Sequence, residues 1–143
     1  MKVTEFINTM AFGILMGVCN YDDTTESMIE KYQDNYFFLP RLVCADGFSI
    51  SIQVNHNNYC ASENGTREFG IDWKKVEWGF PSEQIDPVKY NAEAYAWDEN
   101  CDTRTTVGAY VSVELIEELV NEHGGLDLQK TLTEHLAKHD NKD

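Results

Sequence analysis

The sequence predicts an α+β fold: an antiparallel sheet of about four to five strands, with helices at the N- and C-terminal ends. Three observations carry this. Val3, Phe6, Ile7, Met10, Ile14, Leu15 and Val18 recur at helical spacing near the N-terminus. In the middle of the chain Phe48, Ile50, Ile52 and Val54 alternate with Ser49, Ser51, Gln53 and Asn55, the period of a strand with one buried face. Towards the C-terminus Ser112 precedes Leu115, Ile116, Leu119 and Val120, and Gly124-Gly125 closes that helical pattern. With 143 residues, 42% hydrophobic and 12% aromatic, the chain is long enough to bury one core and fits a single domain. Residues 1–35 are expected to be helical, 36–111 mostly antiparallel β, and 112–139 helical again.

The elements follow in order. Val3 to Val18 forms the first helix, with Phe12 and Met16 widening its apolar side. Asp23 and Glu26 have the spacing of a capping box for a second helix, whose apolar side is Met28, Ile29 and Tyr32. Tyr36 to Cys44 reads as a strand, placed at an edge or starting late because of Pro40. Ala45-Asp46-Gly47 is a tight turn, and Phe48 to Asn55 completes a hairpin. Residues 56–72 are polar and irregular, with the length of a functional loop. Trp73 to Phe80 is a third strand, with Val76, Trp78 and Phe80 on one face, ended by Pro81. Tyr90 to Trp97 alternates as a strand does, although its Ala and Glu content favours helix. Thr105 to Val111 is the last strand and Val113 to His123 a capped helix. Asp127 caps a final helix carrying Leu128, Leu132 and Leu136.

Charge is the unusual feature. Against 25 acidic residues stand 11 basic ones, a formal net charge of −14. Such a surface repels nucleic acid and anionic membranes and attracts basic protein surfaces and cations. Solubility alone is the bland explanation. The excess is concentrated: residues 83–122 hold ten acids and two bases, Lys89 and Arg104. The outer face of the 113–123 helix is nearly all Glu and has no Lys or Arg at i,i+4 spacing.

Four cysteines, at 19, 44, 60 and 101, are too sparse for a disulfide scaffold, and Cys19 and Cys44 lie in apolar runs that suit packed thiols. Met10–Cys19 has the length of a signal-peptide core, but Glu5 and Val18 do not suit export, and the run is too short to span a bilayer. Nucleotide-binding, hydrolase-elbow and zinc-protease motifs are missing. His135 and His139 are one turn apart, but nothing fixes further ligands. Cys44, His56, Cys60 and Cys101 lack the paired spacing of a zinc site. Cys60 with His56 as base, beside Tyr59, is the obvious enzyme idea.

The segments FLPRLVCADGFSISIQVNHNNYC (Phe38–Cys60), VEWGFPS (Val76–Ser82) and AYVSVELIEELVNEHGG (Ala109–Gly125) resemble short bacteriophage-encoded proteins of uncharacterised function. Those proteins share an LPR-hydrophobic-Cys-x-DGFS-x-S-x-Q opening, a Val-Glu-x-Gly-(Phe/Tyr)-Pro-Ser segment and a helix before Gly-Gly. The resemblance implies a phage origin and action in the cytoplasm of a host bacterium, and it assigns no activity.

The expected function is that of an acidic inhibitor without catalysis, metal or cofactor. It would occupy a basic nucleic-acid-binding groove of a host defence complex of the anti-CRISPR or anti-restriction kind. Its partner-binding residues would be Asp98, Glu99, Asp102, Glu114, Glu117, Glu118 and Glu122, with no direct nucleic-acid or membrane contact. Two alternatives are a metal- or ligand-dependent enzyme built on the 55–72 loop, and a phage assembly accessory that interacts through its apolar first helix.

Overall fold

A computed structural model of the chain describes residues 1–34, 38–55, 58–62, 72–90 and 100–140. The element order is α1 (Val3–Val18), α2 (Thr25–Asp34), β1 (Leu42–Val43), β2 (Ser49–Gln53), β3 (Ala61–Ser62), β4 (Trp73–Gly79), β5 (Val107–Ser112), α3 (Val113–Glu122) and α4 (Leu128–Asp140), with a short 3-10 turn at Thr103–Thr105. This is the α+β architecture that the sequence predicts.

Among the described residues every strand pairing is antiparallel and β4 lies at the centre. Its C-terminal half pairs with β2, Ile52 opposite Trp78, and its N-terminal half with β3, Ala61 opposite Lys75. Lys75 also faces Ser112 of β5, so β3 shares the edge that β2 occupies and β5 takes the other. Strands β1, β2, β4 and β5 form a meander, and β3 is an addition within the loop that the sequence leaves irregular.

Apolar periodicity explains what is buried. Val3, Phe6, Ile7, Ala11 and Leu15 of α1 face the core together with Val113, Ile116, Leu119 and Val120 of α3. The two helices pack on each other and on β4, whose Trp73, Val76 and Trp78 are fully buried. Burying side chains of this size removes the most apolar surface from water per residue and dominates the stability of the domain.

Of the expected Tyr36–Cys44 strand, Tyr36 and Phe37 lie outside the described residues, and among the rest only Leu42–Val43 is a strand. Pro40 has no N–H to donate to a ladder, and the Gln53 side chain does the pairing instead. Its Oε1 accepts from Leu39 N–H at 2.7 Å and its Nε2 donates to the Leu39 carbonyl at 3.1 Å, which is why Gln53 is buried. The third strand also ends early. Phe80 does not join Val76 and Trp78: it is half exposed and sits at φ 49°. Its N–H donates to the Thr106 carbonyl and its own carbonyl accepts from Arg41. Thr24, not Asp23, caps α2, accepting from Ser27 N–H at 3.1 Å. Asp23 instead accepts from Lys31 Nζ at 2.7 Å, from the Ser27 hydroxyl at 3.1 Å and from Asn20 N–H. Most of the expected Tyr90–Trp97 strand lies outside the described residues; Tyr90 itself is buried in a turn.

Two junctions hold the layers together. In the first, β5 bulges opposite Glu77, since Val111 pairs with Val76 and Gly108 with Trp78. Tyr110 absorbs the irregularity at φ 52°. The Trp78 indole lies against Gly108, where a Cβ would come within 2.0 Å of the ring, and its Nε1 donates to the Tyr90 carbonyl. In the second, the hairpin turn docks onto the α3–α4 corner. Ala45 N–H donates to Gly125 O at 2.9 Å and Asp46 N–H to His123 O at 3.2 Å. His123 stacks on Phe48, ring centroids 4.0 Å apart, and its Nδ1 lies 2.7 Å from Asp46 Oδ2. Gly47, Gly124 and Gly125 all take positive φ here, a conformation natural to glycine.

Gly108→Ala is expected to destabilise the protein by about 3 kcal/mol, because the fully buried indole must shift to admit a Cβ; urea unfolding at constant slope measures this. Asp46 is held below its ordinary value near 3.8 by the Phe48 N–H and then by His123. A depressed carboxylate stabilises the fold above its unfolded pKa and loses that contribution as pH falls through the folded one. The stability lost in Asp46→Asn should therefore be complete at neutral pH and fade below about pH 4, as thermal melts across that range would record.

Candidate functional site

The acidic face is built on α3. Ser112 caps it, its hydroxyl accepting from Glu114 N–H at 3.2 Å, and the buried Val113–Val120 row fixes its rotation. Glu114, Glu118 and Glu122 then fall at i, i+4 and i+8 on the outer side, and all three are exposed. The helix has no basic residue in its last turn. Glu122 therefore stands against the negative end of the helix dipole, and each neighbouring pair of glutamates repels.

The other expected members divide three ways. Glu117 turns aside: both of its carboxylate oxygens accept from Val3 N–H, at 2.9 and 3.1 Å. It thereby satisfies the first amide of α1, which has no side-chain cap of its own. Asp102 caps the 3-10 turn through Arg104 N–H and pairs with the Arg104 side chain at 3.0 Å, an arrangement that lowers its pKa. Asp98 and Glu99 lie outside the described residues.

Lys89 was not foreseen as a member. It reaches across from the 82–90 connection to Glu118 at 2.8 Å and lies 5.2 Å from the centre of the Tyr90 ring. The Glu118 hydrogen bond raises its pKa. Because the pair is exposed on both sides, it stabilises little and opens readily to a competing cation. Its sequence signal was only that Lys89 is one of two bases among ten acids.

The loop after β2 presents different chemistry. Glu77 accepts from Asn58 Nδ2 at 3.1 Å and from Tyr59 N–H at 2.9 Å, anchoring the excursion between β2 and β3. Tyr59 is partly exposed and tilts against Tyr110 at 6.0 Å. Cys60 is fully buried and its thiol donates to the Asn55 carbonyl at 3.3 Å. His56, its expected base, lies outside the described residues. Cys44 is buried and its thiol is pushed up to about 11 by burial and by Asp46, the behaviour of a packing residue. Among the described residues no two cysteines form a disulfide. Among the described residues no three His, Cys, Asp or Glu side chains converge to hold a metal, and no helix is long and apolar enough to cross a membrane.

No protein-family model, curated protein or solved structure matches the chain.

Two substitutions should separate the roles of neighbouring glutamates. Glu122→Gln relieves the dipole clash and should raise the melting temperature by about 1–2 °C at low salt. Glu117→Ala leaves the α1 amide uncapped and should cost about 1 kcal/mol. Calorimetry on both variants would show the opposite signs.

Proposed function

We propose that this chain is a phage-encoded, non-catalytic acidic binding protein. On this reading it occupies a basic nucleic-acid-binding groove of a host defence nucleoprotein complex, acting in the cytoplasm of the host. The observation that carries the proposal is the exposed Glu114–Glu118–Glu122 row, like charges kept in line on a helix whose inner face is fully packed. Glu114 and Glu122 repel the Glu118 carboxylate, which Lys89 offsets only through an exposed pair, and Glu122 also lies at the unfavourable end of the dipole, so the row weakens the free protein. The same arrangement gains energy when cations line up against it. The phage origin rests on the sequence resemblance.

The proposed contact is narrower than the seven acids suggested by the sequence. Glu117 and Asp102 are used internally and Asp98 and Glu99 lie outside the described residues, which leaves the α3 row, with Glu118 in an exposed pair with Lys89, as its centre. That row spans eight residues, about 12 Å. One strand of duplex DNA carries a phosphate every 3.4 Å or so of axis, so the row covers the length of about three or four phosphates. It suits a local recognition pocket and not a long duplex channel.

The test uses purified restriction or CRISPR effector complexes as targets. Binding of the unmodified chain should weaken steeply with salt and compete with the effector's own nucleic acid. The Glu114→Gln/Glu118→Gln/Glu122→Gln variant should lose about tenfold or more in affinity while remaining folded. Equal inhibition by the triple variant would remove the α3 row from the proposal.

A further inference from the structure

We propose that Lys89 is an internal competitor for the α3 row: its tethered ammonium occupies the place at Glu118 that a partner's basic side chain takes, and it must be displaced before the whole row can bind. Lys89 has this role only if Glu114, Glu118 and Glu122 form the proposed contact surface. The backbone that carries it is fixed at both ends. Asp86 Oδ1 accepts from Val88 N–H at 2.9 Å and from Lys89 N–H at 3.2 Å. The Asp86 carbonyl accepts from Tyr90 N–H at 3.1 Å, and the Tyr90 carbonyl accepts from the Trp78 indole. Just before the turn, Ile85 N–H donates to the Thr103 hydroxyl at 2.9 Å. The turn therefore keeps Lys89 beside α3, and release of Glu118 is left to the side chain alone.

The ammonium sits in surroundings that suit any basic side chain. It lies 2.8 Å from Glu118 Oε1 and 5.2 Å from the centre of the Tyr90 ring. A carboxylate and an aromatic face are the two groups that hold a cation at an interface. Tyr90 is buried and supplies a fixed wall. Burial raises the pKa of its hydroxyl, Lys89 opposes this, and the Glu122 and Glu118 carboxylates raise it further. The ammonium and both acids thus act at one place, in the middle of the row.

Tethering sets the strength of the competition. A group on a short flexible tether is present at its target at an effective concentration of about millimolar or more. A single mobile cation at lower concentration leaves the Lys89–Glu118 pair closed on balance. Linked cations that also reach Glu114 and Glu122 gain two contacts that Lys89 does not occupy. The pair is exposed on both sides, so it then yields at modest cost. Lys89 thereby selects arrays of basic side chains over isolated ones, as a specificity-determining residue of the row.

Calorimetric titration of the full chain with hexalysine at about 100 mM salt tests it. Lys89→Gln should bind about two- to fivefold more tightly than the unmodified chain, the size of effect an exposed ion pair has. Lys31→Gln removes the same charge from the Lys31–Asp23 pair of α2, a helix that packs on α1. It should change affinity by less than about 1.5-fold, because salt screens charges more than about 10 Å away. The gain from Lys89→Gln should fall to that level when Glu118→Gln is also present, since the competitor then has nothing to guard. A gain no larger than that of Lys31→Gln, or one that survives Glu118→Gln, overturns the competitor and leaves the α3 surface in place. If the Glu114→Gln/Glu118→Gln/Glu122→Gln variant binds hexalysine as tightly as the unmodified chain, the α3 surface itself fails, and the competitor with it.

Discussion

The packing of Trp78 constrains the rest of this fold. The residue lies in β4, the strand that pairs with β2 and β3 on one side and β5 on the other. Its indole fits only because position 108 has no side chain, and its single donor is satisfied by the Tyr90 carbonyl. That one side chain sets how closely β5 approaches, where the 82–90 connection closes, and hence where Lys89 emerges. Because α3 follows β5 directly through Ser112, the direction of the acidic helix is inherited from the same contact. A face that carries charge outward thus depends on an apolar fit at the centre of the sheet.

Charge enters the structure in two different ways. Some carboxylates are structural ligands of the chain itself: Asp46 at the hairpin turn, Asp23 at the start of α2, Glu117 at the first amide of α1, and Glu77 under the β2–β3 excursion. Each accepts a hydrogen bond from a donor of the chain itself. Others, above all Glu114 and Glu122, project into solvent from a helix already fixed by its apolar face. Only the second group is free to serve a partner.

Much of this organisation was legible in the sequence where the signal is local. The α1 boundaries follow from apolar periodicity, the β1–β2 hairpin from strict alternation around Asp46-Gly47, and α3 from Ser112 and the glycine pair. What was not legible depends on contacts between distant residues. Nothing local announces that Gln53 will replace a strand for Leu39, that Phe80 will leave the face of Trp78, or that Ala61–Ser62 will pair with β4. The same distinction applies to the candidate site. The Glu114, Glu118 and Glu122 spacing is written along one helix. The diversion of Glu117 to Val3 and the approach of Lys89 to Glu118 span 114 and 29 residues, so pattern alone could not separate structural from available acids.

The central claim is that α3 presents a cation-seeking surface distinct from the general acidity of the chain. An isotope-labelled sample titrated with an oligolysine peptide, followed by amide chemical shifts, tests it most directly. At about 50 mM salt the largest changes should map to Glu114, Glu118 and Glu122, and they should vanish near about 500 mM, where screening removes exposed electrostatics. Changes spread evenly over all exposed carboxylates, or centred on the loop around Tyr59, would contradict the account.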